Sequence, residues 1–499
     1  MTPAQQQPTT TLPHASLRSP PHTHLPRPPP AMPQSAATTI FLAIAMVSLS
    51  IAASSPAPPD AAGAPAPAAP TTTTVRAAFY LAAAARLRPL AALDASLYTH
   101  LYYSSLPVHP TTHKLVLPAD PDQASLLASF SQALKSKNRN LRTLLSVGAA
   151  AAAGVASGSQ TDPAFAAMAA DPASRAALGA SAVALAVDAG FDGLDVAWRF
   201  PASSLEMADL GFLLADWRAA APPGFLLTAT AYFSSHVFSA GGGGGVDYPS
   251  ETLARCLDWV NVAAFGLAGG AGKTTAFDAP LYDAATHFSA SYGVVSWVDA
   301  GMPPAKVAMG VPLYGRSWFL RNKANAAVGA PAVAAGPKQR GSNATGVMSY
   351  AEVQRLAGAG DGRRRAVTVA YDSASVASYM SVGDVWVAFD GAAVVAEKLA
   401  FAARRELRGY FLWPVNYDDA NLTVSRTASE VWMQSEMSNS KNGTGSQQTQ
   451  GAVRLPPALR SPAGTPGPVP APASGSSSLL PWTKLGVFLH IGMQILVWC

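Results

Sequence analysis

The sequence predicts an α/β fold, a (β/α)8 barrel, and three observations carry that expectation. Short apolar runs such as Leu141–Val147 and Val307–Val311 have the length and continuity of parallel strands buried on both faces. Longer Ala-rich amphipathic stretches lie between such runs, as a βα repeat requires. The chain has 499 residues and is 49% hydrophobic, enough for a full core in one main domain. Its central body accommodates a barrel of typically ~250 residues or more with insertions.

The run Phe191–Pro201, FDGLDVAWRFP, is the most informative segment. Side chains alternate between the faces of a strand, so Asp195, Ala197 and Arg199 would line the barrel interior and its mouth. Val196 and Trp198 would then face the surrounding helices. The run resembles the strand that carries catalysis in family 18 glycoside hydrolases, the chitinases, whose signature reads DGxDxDxE. Asp192, Gly193 and Asp195 keep their places in that pattern. Ala197 stands at the middle carboxylate and Arg199 at the proton-donating Glu. A glycosidase needs an acid there to protonate the leaving oxygen. In the family, the sugar's acetamido oxygen attacks the anomeric carbon and the middle Asp orients it. Alanine offers no hydrogen bond, and arginine is a permanent cation without a transferable proton. Losing a positioned acid costs on the order of 10²–10⁴ in rate. The resemblance therefore implies a chitinase scaffold without catalytic residues.

Other segments follow the same family in order, as plant class V chitinases arrange them. Val75–Leu106 resembles the first strand, helix and second strand, with Ala78, Phe79 and Tyr80 at a Gly-Tyr-Trp. Arg142–Ala149 resembles the third strand, and Phe165–Gly190 the helix after it. Asp209–Ala219 is similar to the helix that follows the signature strand. Leu226–Ala231 and Leu257–Phe265 resemble the next two strands, and Val307–Trp318 a later one. Trp386–Asp390 and Gly409–Asp419 resemble the closing segments. Together these imply a TIM barrel over residues 75–433, carrying a small α+β insertion domain at about 317–385.

The resemblance also assigns a sugar site. The family's sixth-strand motif, Met-x-Tyr-Asp, falls on Ala263, Phe265 and Gly266, so its phenol and carboxylate are missing too. Trp413 matches the tryptophan that floors the central subsite, where a ring suits the apolar face of a sugar. Tyr314, Arg316, Trp318, Tyr80 and Asp195 are further carbohydrate-binding candidates, though Asp195 fits a structural hydrogen-bonding role better. Glu206 and Asp209 are the nearest acids that a substitute mechanism could recruit. Their position past the strand suits capping or solvation instead. The Ser, His and Cys residues form no nucleophile motif, and no zinc or calcium spacing appears. Gly241–Gly245 lacks the Lys and Ser/Thr of a phosphate-binding loop. No cofactor or metal is expected.

The ends point to export. Residues 1–53 read as a Pro-, His- and Thr-rich disordered leader followed by an apolar segment, Thr39–Ala53. That segment is too short to span a bilayer and fits a signal-peptide core, with translation starting at Met32. Residues 54–74 form a Pro/Ala spacer. Two cysteines, Cys256 and Cys499, imply no disulfide framework, which a barrel of this size does not need. Asn343, Asn421 and Asn442 open glycosylation sequons. Residues 434–478 read as a Pro/Ser-rich linker, and 479–499 as an apolar end, either a GPI signal or a membrane anchor. The net charge of +5 is modest, and no basic stripe suggests nucleic acid.

The expectation is thus a hydrolytically inactive, extracellular or membrane-attached protein whose partners are chitin or chito-oligosaccharides. A membrane-bound co-receptor is a further candidate partner. Two alternatives stay open: an active chitinase using a non-standard acid, or a protein-interaction module on an inactive barrel.

Overall fold

The computed structural model describes residues 74–148, 162–239, 244–268, 273–338, 344–358 and 367–442. All lie in one compact unit, Pro70–Cys499. The leader and signal-peptide core, nearly all of the spacer, Asn343, Cys499 and the apolar end fall outside the described residues.

Eight parallel strands close into a barrel. They are β1 (Val75–Leu81), β2 (His100–Leu106), β3 (Arg142–Gly148), β4 (Gly193–Ala197), β5 (Leu226–Ala231), β6 (Trp259–Val262), β7 (Val307–Pro312) and β8 (Gly409–Trp413). Each pairs with its successor, and β8 returns to β1 with Gly409 opposite Val75. At this seam a Cβ on residue 409 would lie 1.8 Å from the Val75 carbonyl oxygen, so only glycine lets the barrel shut. The strands are buried almost throughout because helices cover their outer faces.

The helices among the described residues are α1 (Pro121–Lys135), α2 (Pro163–Ala170), α3 (Pro172–Asp188), α4 (Ser204–Ala220), α5 (Ser250–Cys256), α6 (Ala290–Asp299), α7 (Tyr350–Gly358), α8 (Ala392–Arg404) and α9 (Thr423–Asn442), of which α7 packs on the insertion rather than on the barrel. The first three begin on Asp-Pro pairs. Asp120, Asp162 and Asp171 each accept a bond from a first-turn amide, and the proline occupies a position whose N–H would be unpaired. Helix α9 runs nine residues past Met433, so the segment expected as linker starts as helix.

Between β7 and β8 the chain builds an antiparallel sheet. Its order is Ala332–Ala335, Tyr314–Leu320, Val385–Phe389, Ala377–Val382 and Val367–Asp372, with Val347–Ser349 also on Tyr314–Leu320. Together with α7 this forms the α+β insertion, and it is wider than 317–385. Trp386–Asp390, expected as a closing barrel segment, mostly forms a central strand of this sheet.

Candidate functional site

The carboxyl end of β4 is where the family's chemistry would sit, and the strand keeps the expected alternation. Trp198 points outward and stacks on Phe165 of α2, with ring centroids 5.3 Å apart. Asp195 points inward and is fully buried. Its carboxylate accepts from Ser146 Oγ (2.9 Å), Thr228 Oγ1 (2.8 Å), Thr230 Oγ1 (2.9 Å) and Asn261 Nδ2 (3.2 Å). Burial pushes its pKa up, against the pull of these donors. Asn261 also donates to the Tyr102 hydroxyl and accepts from Trp259 Nε1, which completes a polar layer across the interior. Asp195 thus acts as a structural hydrogen-bonding hub.

Asp192 lies just before β4, at the opposite end of the strand from the mouth. It pairs with Lys135 (2.7 Å) and Arg142 (2.9 Å) and accepts from the Thr143 amide. Burial disfavours its charge, yet Lys135, the Thr143 amide and Arg142 together hold its carboxyl below the usual range. At the other end, Ala197 presents only a methyl group. Arg199 follows, half-buried, its carbonyl accepting from the Asp162 amide. Burial lowers the guanidinium pKa and the Asp162 charge opposes that shift. Neither residue offers a proton to a leaving group at neutral pH.

Aromatic rings fill the space above the polar layer. Phe79 stacks on Tyr102 at 4.1 Å and meets Phe411 and Trp413 at 5.3 Å. Phe265, at the motif's tyrosine position, lies 6.0 Å from Phe411 and 6.2 Å from Tyr314. A Cβ at Gly310 would come within 2.6 Å of the Phe411 ring and 2.7 Å of the Phe265 ring, so glycine makes room for both. Trp413 is only 5% exposed.

Several expected sugar contacts take other places. Tyr80 points away from the interior: its ring packs on Phe130 of α1 and its hydroxyl donates to the Arg88 carbonyl. Strand parity forces this, because the inward position is Phe79. Trp318 is core of the insertion, packed edge-on to Trp386 at 5.5 Å beside Leu320 and Ala332. Tyr314 and Arg316 are buried near the motif's missing carboxylate. There Asp278, a residue the sequence did not single out, accepts from the Gly266 amide through Oδ2 (3.2 Å). Its Oδ1 pairs with Arg316 Nε (3.2 Å). The Asp278 and Asp390 charges add to burial in raising the Tyr314 phenol far above its usual pKa. Asp390 itself forms a buried pair with Lys398. The signal for Asp278 was indirect: a buried arginine inside VAMGVPLYGRSW calls for acceptors, carboxylate or carbonyl, from elsewhere in the chain.

Glu206 and Asp209 lie on α4. Ser203 caps that helix by accepting from the Glu206 amide, and the Glu206 carboxylate accepts from the amide of Ala202, the residue before the cap. Asn421 is exposed, and Asn442 ends α9.

Comparison with known proteins places this geometry. Residues 76–418 match the pattern of glycosyl hydrolases family 18. Nod factor hydrolase protein 1 of Medicago truncatula is 34% identical over 356 residues, spanning 69% of this chain and 87% of that protein. The GH18 chitinase from Cycas revoluta, solved in complex with (GlcNAc)3, superposes with a TM-score of 0.63 at 31% identity, covering 72% of this chain and 99% of that one. The chitinase-like agglutinin RobpsCRA from Robinia pseudoacacia gives 0.60 at 28% identity over the same shares. With a closed eight-stranded barrel and an insertion between its last two strands, the chain belongs to glycosyl hydrolases family 18, as a class V chitinase-like member.

Proposed function

We propose that the protein binds chito-oligosaccharides or other N-acetylglucosamine-containing glycans without hydrolysing them, outside the cell or attached to its surface. The carrying observation is the end of β4, where Ala197 and Arg199 leave no acid facing the mouth. Phe265 and Gly266 remove two more polar groups belonging to the same chemical event. Glu206 is a poor substitute, since its carboxylate is engaged at the start of α4. Support for sugar binding comes from relatives: one is solved with (GlcNAc)3, and another is an agglutinin on the same scaffold.

Two measurements test the reading. Release from a fluorogenic chito-oligoside should stay at the level of a mock purification. Turnover lost in a Glu206→Gln or Asp209→Asn variant would overturn inactivity. Titration with chitotetraose, followed by tryptophan fluorescence, should give a saturable change that Trp413→Phe reduces. A second reading, an interaction module for another protein, is favoured by the small exposure of Trp413 beneath the packed rings. A flat titration would select it.

A further inference from the structure

A groove of about 910 Å³ opens on the outside of the barrel, between segment 282–292 and the last turn of α8. That volume lies within the range of ligand sites, about 300–1,000 Å³. Its lining combines rings, hydroxyls and cations. Tyr282 is 41% exposed and stands edge-on to Phe401 at 6.1 Å. His287 is exposed and packs 4.6 Å from Tyr292. Arg405 lies over the Phe401 ring at 5.4 Å, and Arg404 is exposed on the adjoining position. The one acid in the lining, Asp283, already accepts from the Ala285 and Thr286 amides and the Thr286 hydroxyl of its own turn. The groove therefore presents a net positive field beside exposed aromatic surface. The barrel-mouth ring, Trp413, presents almost none.

We propose that this groove is a second glycan site, and that its ligand is an acidic oligosaccharide, a pyranose chain bearing carboxylates. The apolar C–H face of a sugar ring suits Tyr282 and His287, while ring hydroxyls suit Thr286 and Ser291. A carboxylate on the same sugar meets Arg404 and Arg405, whose planar donors match its two oxygens. A neutral sugar would leave both cations unused. The site is independent of the barrel mouth, so its success or failure does not depend on the chitin-binding reading.

The test is calorimetric titration of the full chain with tetragalacturonate, with chitotetraose and polyglutamate as comparisons, at low and raised salt. Tetragalacturonate should bind and weaken as salt rises. Arg404→Gln combined with Arg405→Gln should weaken it roughly tenfold or more, the scale of one charge-assisted hydrogen bond. Tyr282→Ala should weaken it by a similar factor, and Trp413→Phe should leave it unchanged. Both groove variants alter exposed side chains, and an unchanged melting temperature would establish that they fold. No binding of tetragalacturonate, or binding insensitive to both groove variants, overturns the proposal. Equal affinity for polyglutamate makes the groove a plain cationic patch and overturns it as well. Chitotetraose binding that Tyr282→Ala abolishes and Trp413→Phe spares would overturn the acidic-ligand assignment.

Discussion

Removing the charge of Asp278 should be among the most damaging conservative changes available to this fold. Asp278 and Arg316 are 5% and 6% exposed and 3.2 Å apart. At that separation the attraction is roughly 5 kcal/mol with an effective dielectric of about 20. In Asp278→Asn the amide oxygen still accepts from Gly266, but the NH2 then faces Arg316 Nε–H, so the change removes both the charge and the acceptor that hold the guanidinium. Arg316 would stay buried without its counter-charge, and Nη2 already lacks a hydrogen-bond partner. Breaking one side of a buried pair typically costs about 3–5 kcal/mol, and that is the expected loss. Removing both charges together, as Asp278→Asn with Arg316→Met, should recover most of it, because the desolvation cost of the guanidinium disappears too. Equilibrium urea unfolding of wild type, both single variants and the double gives the coupling energy directly. If Asp278→Asn stays within about 1 kcal/mol of wild type, or the double variant is no better than the single, the ion pair does not hold this region.

Other expectations follow from the same geometry. His100 is buried with its ring edge-on to Trp259, and burial pushes its pKa down to about 3 from an ordinary 6.5. Between these values the unfolded chain binds a proton that the fold excludes, so stability falls as pH drops, by about 1.4 kcal/mol per pH unit. His100→Phe should flatten that limb, and an unchanged pH profile of urea midpoints would count against it. Gly310→Ala should cost about 1–3 kcal/mol by driving a methyl group into the Phe265 and Phe411 rings, read as a lowered melting temperature. Arg199→Glu should give no turnover of a fluorogenic chito-oligoside, because Ala197, Phe265 and Gly266 still lack the partner groups. Robust turnover by that variant would show that the acid alone was missing.

Much of the barrel was legible because its signals are local. Apolar runs mark strands buried on both sides, and the Ala-rich amphipathic stretches between them mark the helices. The alternation through Asp195, Val196, Ala197 and Trp198 gave the correct inward and outward faces. Long-range packing was not legible. Tyr80 looked like a mouth residue by alignment, but the parity of β1 gives the interior to Phe79. Trp318 looked like a sugar contact near the mouth because it closes VAMGVPLYGRSW, a segment that resembles the family's barrel. The insertion's first strand begins at Tyr314, which carries Trp318 into the core of the insertion sheet. Asp278 belongs to no motif and reaches Gly266 only through the folded loop, so nothing in its neighbourhood along the chain advertised it.

The carboxylate of Asp195 has a consequence for how sequence signatures are interpreted. It rivets three neighbouring strands through Ser146 on β3, Thr228 and Thr230 on β5, and Asn261 on β6. Deleting it would strand several hydroxyls and an amide inside the barrel, whatever happens to the chemistry above. Architecture alone is thus sufficient reason to retain this aspartate, whether or not a barrel is catalytic. A partial signature that includes it testifies to how the barrel is assembled and is mute about whether the barrel still cuts sugar.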